Sequence, residues 1–560
     1  MDEQNYSRTE DIVNVSYFLK ENSNKFPYKR AVVFPEGRDG NGRVAYTHLT
    51  FRQLDRESDR IAAGLEKAGI TRGTRTILMV RQSIDFFALT FALFKAGAVP
   101  VVVDPGMGIK RMLNCMSEGR PEAFIGIPLA HVLRTVYPKF FSTVNTFVTV
   151  GKKYFWSGLT LKQIRETAPL VHKTAETVRN ETAAILFTSG STGPAKGVVY
   201  THGTFDAQIR QIRSHFEIGQ DEIDLPTFPL FALFDPALGM TAIIPDMDPT
   251  KPALVNPEKI IEAIINHGVT NMFASPALLN RVGRYGKEKG LRLPSLKRVV
   301  SAGAPVLPSN IEQFSSILTK DAEIHTPYGA TEAVPIVSIS SHEILSETKE
   351  LSEKGFGTCV GRPINDTEIR LIKINDEPIE NWSEDLMVPE NEIGEIIVKS
   401  PVVSRCYFEK PKYDAIHKII DGYGFWHRMG DLGWKDNKGR VWFCGRKTHR
   451  VTTQNGVLYT IPCEAIFNAH PAVFRSALVG IGKPANQKPI ICIEIEPSQK
   501  PNKKTLGKEL LALGTQNIIT KDIKKILFHK SFPVDIRHNS KIFREKLAIW
   551  AEKKLDKRQG

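Results

Sequence analysis

The stretch Ala183-Ala-Ile-Leu-Phe-Thr-Ser-Gly-Ser-Thr-Gly-Pro-Ala-Lys-Gly-Val-Val-Tyr200 decides how this chain is read. An apolar run, Ala183 to Phe187, enters a loop of hydroxyls and glycines from Thr188 to Gly197, and a β-rich run, Val198 to Tyr200, leaves it. Gly190 and Gly193 leave backbone N–H groups open to an oxyanion, Thr188, Ser189, Ser191 and Thr192 add hydroxyl donors, and Lys196 adds a mobile positive charge. This is the chemistry of a phosphate cradle. The Walker A spacing is absent and the exit reads as a strand, so it is a phosphate loop of another kind. A plain glycine-rich hairpin would not need so many hydroxyls in a row.

At 560 residues, the chain exceeds one ordinary core, and two or more domains are expected. Its most apolar stretch, Phe86 to Phe94, is flanked by Asp85 and Lys95 and is far too short to span a bilayer. The first residues, Met-Asp-Glu-Gln-Asn, lack the basic-then-apolar order of a secretory signal, so a cytoplasmic location is expected. Six cysteines without CxxC spacing read as reduced thiols rather than disulfides or zinc ligands. The net charge is +14, but residues 501–560 hold 15 Lys or Arg against 6 Asp or Glu, so the excess is concentrated at one end. No aromatic residues interleave with it in a nucleic-acid-binding pattern, and a solvated basic face is expected. Attraction to a polyanionic substrate, an acidic partner or a membrane surface by peripheral contact stays open.

Along the first 150 residues helix and strand signals alternate. Thr50-Phe-Arg-Gln53 fits a capping box, Thr76 to Val80 a buried strand, Ile84 to Lys95 an apolar helix and Val99 to Val103 a strand. Such alternation predicts an α/β fold with mostly parallel sheets covered by helices. Leu225 to Gly239 is rich in aromatics and leucine but broken by three prolines, so it cannot form one regular helix. It either packs as core or lines an apolar ligand pocket, with Phe231, Phe234 and Asp235 as the candidate lining. Ser301-Ala-Gly-Ala-Pro305 and Thr326-Pro-Tyr-Gly-Ala-Thr-Glu332 are small-residue turns after apolar runs, where open α/β sheets hold ligands. Tyr328 offers a flat face for a base, Thr331 a hydroxyl, and Glu332 a hard oxygen suited to Mg²⁺ held by ATP phosphates. From Phe356 the pattern is β-rich, and Asp431 can accept from two ribose hydroxyls at once. After Arg446 a smaller, basic α+β segment follows, ending in a polar loop with Lys541.

These motifs, in this order, resemble the adenylate-forming superfamily across nearly the whole chain. The resemblance implies a large N-terminal domain, residues 1–445, of layered mostly parallel sheets with a β-rich subdomain, and a small mobile α+β C-terminal lid, residues 446–560. It assigns ATP and AMP binding to Thr188, Ser189, Gly190, Ser191, Thr192, Gly193 and Lys196, to Gly303, Ala304 and Pro305, to Tyr328, Gly329, Ala330 and Thr331, and to Asp431 and Arg446. Lys541, Glu332 and Thr331 become the catalytic residues, Glu332 the Mg²⁺ ligand, and ATP and Mg²⁺ the cofactors. In thioester-forming members the hinge continues from Gly-Arg to an acidic residue and later a lysine; Thr448 and Thr452 stand there in this chain.

Phe228 to Gly239, Pro245 to Pro249, Thr326 to Glu332 and Asp535 to Ile542 are similar to the branch of that superfamily serving bacterial long-chain olefin synthesis. That resemblance implies adenylation of a long-chain 2-alkyl-3-hydroxy acid, then closure to a β-lactone by its own 3-hydroxyl. It also implies companion enzymes, a reductase and a lactone decarboxylase. Asp235 is a candidate to accept the hydroxyl proton, with a turn or capping role as the alternative. His202 is a second candidate that the family pattern reads as structural. A long-chain acyl-CoA synthetase or acyl-AMP ligase is the alternative activity.

Overall fold

The computed structural model describes residues 11–168, 172–188, 196–534 and 542–556. Two seven-stranded sheets form the larger part of the molecule. In the first, Leu159–Thr160, Thr146–Thr149, Ala123–Gly126, Arg75–Met79, Val99–Val103 and Thr182–Thr188 run parallel in that order, and Lys196–Thr201 closes the edge antiparallel. In the second, Glu323–His325, Arg298–Ser301, Asn271–Ala274, Ile223–Pro226, Thr241–Ile243 and Arg30–Arg38 are parallel, with Val44–Thr50 antiparallel at the edge.

Helices Phe51–Lys67 and Ile84–Lys95 share one core with Val32, Ala242 and Ile244 of the second sheet and Ala123, Ile125 and Val148 of the first. They therefore lie between the sheets. Ile84–Lys95 is apolar on all sides, as a helix covered on all sides must be, and Phe86 through Lys95 are buried. Its one buried ammonium, Lys95, is neutralised by Asp55 at 2.7 Å and Asp59 at 2.6 Å. Thr50 caps the first of these helices through the expected box with Gln53.

A third sheet is antiparallel and gathers the β-rich region, from Tyr328–Ala330 and Ala333–Ser338 through Gly424–Lys435 and Val441–Arg446. Gly329 is required in its first hairpin, because a Cβ there would meet the Ala333 carbonyl oxygen at 2.5 Å. After Arg446 come the hairpin Val451–Thr453/Gly456–Leu458 and the three-stranded sheet of Val473–Ile481, Lys488–Ile495 and Ile526–His529, with helices Thr460–Asn468, Lys503–Gln516 and Arg544–Asp556. Among the described residues no helix is long and apolar enough to cross a membrane.

Candidate active site

The glycine-rich loop leaves the first sheet between two antiparallel strands, with Thr188 opposite Lys196. Ser189, Gly190, Ser191, Thr192 and Gly193 lie outside the described residues, as does Lys541. Lys196, at the far side of the loop, is held by three groups the sequence reading did not include. Its ammonium lies 3.1 Å from His417 Nε2 and over the rings of Tyr413 and Tyr407, at 4.2 and 5.0 Å from their centroids. His417 Nδ1 lies 3.2 Å from the Arg428 carbonyl oxygen, so its Nδ1–H donates there and Nε2 is free to accept from Lys196. Burial and the nearby lysine push His417 down to about 4, which keeps that acceptor neutral.

Tyr407 also reaches Glu332: its hydroxyl donates to Oε1 at 2.8 Å. The Glu332 carbonyl oxygen accepts from the Ser404 N–H at 2.8 Å, and the Tyr200 hydroxyl donates to the Thr331 carbonyl at 2.5 Å. Strand Lys196–Thr201 and the turn after Tyr328–Ala330 are thus locked together. Lys418 donates to the Ser404 carbonyl oxygen behind this junction, and burial pushes its ammonium down to about 7. Among the described residues, no three His, Cys, Asp or Glu side chains cluster as a metal cage. Glu332, facing Lys196, is the kind of lone carboxylate with which Mg²⁺ is held when substrate phosphates supply the other oxygens.

Asp431 and Arg446 face each other across adjacent antiparallel strands. Arg446 Nη1 lies 3.0 Å from Asp431 Oδ1, and the Tyr328 hydroxyl donates to Oδ2 at 2.6 Å. Burial raises the carboxyl while Arg446 and Tyr328 oppose the rise. The contact to Arg446 is an ion pair without hydrogen-bond alignment, so buried Oδ1 still lacks a donor. An acceptor left waiting in this way fits a ribose hydroxyl. Tyr328 therefore does more than offer a face: its hydroxyl orients the carboxylate, and its ring lies 6.0 Å from that of Phe443. Gly303, Ala304 and Pro305 follow strand Arg298–Ser301, and Gly303 takes φ +94°, which a residue with a Cβ rarely adopts.

The apolar stretch is more regular than its prolines suggest. It forms two short helices, Pro229–Ala232 and Phe234–Leu238. Pro229 stands in the first turn, and Pro236 is third in its helix; neither position has an intrahelical partner for an N–H. Asn22 fixes the second helix by donating to the carbonyls of Pro236 at 2.9 Å and Ala237 at 3.0 Å. Phe231 stacks on Phe273, centroids 4.3 Å apart, whereas Phe234 turns into a separate core against Phe205.

Asp235 is 3% exposed and hydrogen-bonds to a second buried carboxyl, Asp224, on strand Ile223–Pro226. The period-2 pleat sends Leu225 into the core beneath that sheet and Asp224 to the other face. Asn271, directly opposite in register, donates to Asp224 Oδ1. Arg298 lies 3.4 Å from Asn271 Oδ1 and pairs with Glu222 at 2.6 Å. Burial pushes Asp224 up to about 7, and burial plus its neighbour holds Asp235 well above the carboxylate range. Asp235 Oδ2 has no protein hydrogen-bond partner. His202, by contrast, is packed away: Nδ1 accepts from the Val15 N–H at 3.2 Å, and burial pushes it down to about 4.

Residues 19–408 match the AMP-binding enzyme family. The chain is 46% identical over 552 residues, 97% of its length and 98% of the relative's, to an olefin beta-lactone synthetase of Xanthomonas campestris pv. campestris. It is also 46% identical over 556 residues to an olefin beta-lactone synthetase of Stenotrophomonas maltophilia, covering 97% of this chain and 99% of that one. Among solved structures, the amide bond synthetase McbA from Marinactinospora thermotolerans superposes with a TM-score of 0.77 at 21% identity, over 96% of this chain and 99% of its own. The anthranilate CoA ligase AuaEII in complex with anthranoyl-AMP does so with 0.78 at 19% identity, over 98% of this chain and 99% of its own.

Proposed function

The chain belongs to the AMP-binding enzyme family, and from that premise we propose that it converts a long-chain 2-alkyl-3-hydroxy acid to a β-lactone, with ATP cleaved to AMP and pyrophosphate. The observation that carries this reading is the 46% identity to olefin beta-lactone synthetases, sustained over 97% of the chain. The site is consistent with it. Asp431 and Tyr328 hold the ribose side, and Lys196 faces the phosphates from its cradle of Tyr407, Tyr413 and His417. Glu332 would hold Mg²⁺, which neutralises phosphate charge as the substrate carboxylate attacks the α-phosphorus. Lys541, carried by the C-terminal segment, contacts the same oxygens in the transition state, with residues 446–560 acting as the lid.

Activation makes AMP a leaving group. The substrate's 3-hydroxyl then attacks the acyl carbon: the ring C–O bond forms, the acyl–phosphate bond breaks, and AMP departs with the electron pair. The hydroxyl proton goes to the Asp224–Asp235 pair, a buried carboxyl pair in which Asp235 Oδ2 has no protein hydrogen-bond partner. Holding nucleophile and carbonyl in one molecule can contribute up to about 7–11 kcal/mol, less what ring strain consumes. No external thiol enters. In keeping with this, Thr452 is tied by hydrogen bonds to Gln487 and Ala485 within the C-terminal segment. The hydroxy acid must come from a reductase and the strained lactone pass to a decarboxylating enzyme, and assembly with such partners would shield both.

The test supplies ATP, Mg²⁺ and a 2-alkyl-3-hydroxy acid without CoA, and follows pyrophosphate and organic product together. Lactone formed without a thiol supports the proposal; product appearing only when CoA is added overturns it in favour of an acyl-CoA synthetase.

A further inference from the structure

Residues 123–165 contain six Lys or Arg and not one Asp or Glu, in a chain with 61 carboxylates. The fold turns this bias into a surface. Helix Pro128–Val136 buries Ala130 and His131 but leaves Leu129 68%, Val132 41% and Val136 62% exposed. Positions i, i+3 and i+7 form one stripe, so a whole apolar face of the helix meets solvent. The segment after strand Thr146–Thr149 adds Tyr154, 54% exposed, and Phe155, 80% exposed.

The two segments are packed together. Trp156, next to Phe155, stacks on His131 of the helix with centroids 5.3 Å apart and planes 2° from parallel. Trp156 Nε1 donates to Thr149 Oγ1 at 2.9 Å, and a Cβ on Gly151 would lie 3.8 Å from the Pro128 ring. Lysines border the apolar residues: Lys152 lies over the Tyr154 ring at 5.3 Å, and Lys139 over Phe140 at 5.1 Å.

We propose that this face, Leu129, Val132, Val136, Tyr154 and Phe155 with Lys139 and Lys152, docks the enzyme on an anionic lipid bilayer. Apolar side chains exposed beside Lys139 and Lys152 match acyl chains beneath phosphate headgroups, and tyrosine suits the level between them. A second copy is the poorer partner, because a two-fold contact through this patch would bring its own lysines together. Docking would also bring the site to a substrate that, on the function proposed above, partitions into lipid.

The experiment is co-sedimentation of the full chain, without substrate, with phosphatidylcholine vesicles containing phosphatidylglycerol and with pure phosphatidylcholine vesicles. Binding is expected to the anionic vesicles and to weaken with salt. Leu129→Ser/Phe155→Ser should bind at least about tenfold more weakly, since each exposed side chain loses its transfer to the apolar phase. Lys139→Glu/Lys152→Glu should abolish the preference for anionic lipid. All four residues are at the surface, so the melting temperature should not move. No sedimentation with either vesicle, or equal binding by the Ser variant, overturns the proposal. So does a wild-type dimer that this variant dissociates, which would make the occupant a second copy. Because no substrate is present, failure of lactone formation leaves this result standing, and the reverse also holds.

Discussion

Asp431 and Asp235 are both buried carboxylates, yet their neighbours are opposite in kind. Asp431 meets an arginine and a tyrosine hydroxyl, whereas Asp235 meets another carboxyl. The first arrangement offers an acceptor oxygen of the kind that a ribose hydroxyl would meet on the proposed function. The second places like charges together, so a proton is retained between them and can be exchanged. On the proposed function, nucleotide recognition and proton transfer would fall to different regions, and substitutions should separate them.

The largest expected effect tests the activation half. Lys541→Ala should slow pyrophosphate release on the order of 10²- to 10³-fold, as loss of one transition-state contact does, while titration calorimetry shows near-normal nucleotide binding. An unchanged rate would place the catalytic lysine elsewhere. Asp431→Asn should weaken ATP binding about 10- to 100-fold, the loss of charge-assisted contacts, and leave the ratio of lactone to pyrophosphate unaltered. A changed ratio would mean that the two regions are not separable. Tyr413→Leu removes one ring beneath Lys196 and should raise the KM for ATP about two- to fivefold.

The smallest effect is on stability. The Asp224–Asp235 pair keeps a shared proton in the folded chain that is released near the ordinary 3.8 when unfolded. The stability it contributes is therefore full below that value and is lost as pH rises through about 7, where Asp224 titrates. Asp235→Asn should melt higher than the parent at about pH 8, and the gap should narrow by about pH 5.

What the sequence revealed followed the range of the interactions. The Thr50 capping box and helix Ile84–Lys95 depend on neighbours a few residues away, and both occur as expected. Tyr328, Glu332 and Asp431 drew attention because their residue types suggest chemistry, and Tyr328 and Asp431 meet through a hydrogen bond that the sequence does not show. Tyr407, Tyr413 and His417 were not: they sit in a mixed segment without periodicity, and His417 meets Lys196 across 221 positions. Asp224 stands just before the proline-broken stretch, on strand Ile223–Pro226. It faces Asp235 because two short helices fold the chain back over the sheet, a path that three prolines concealed.

The division between activation and closure is tested most directly by a single-turnover, acid-quenched time course of Asp235→Asn with ATP, Mg²⁺ and a 2-alkyl-3-hydroxy acid. Pyrophosphate should appear at close to the parent rate while acyl-AMP accumulates and lactone lags far behind. Lactone keeping pace with pyrophosphate, or both falling together, would contradict the assignment of the closing proton transfer to the Asp224–Asp235 pair.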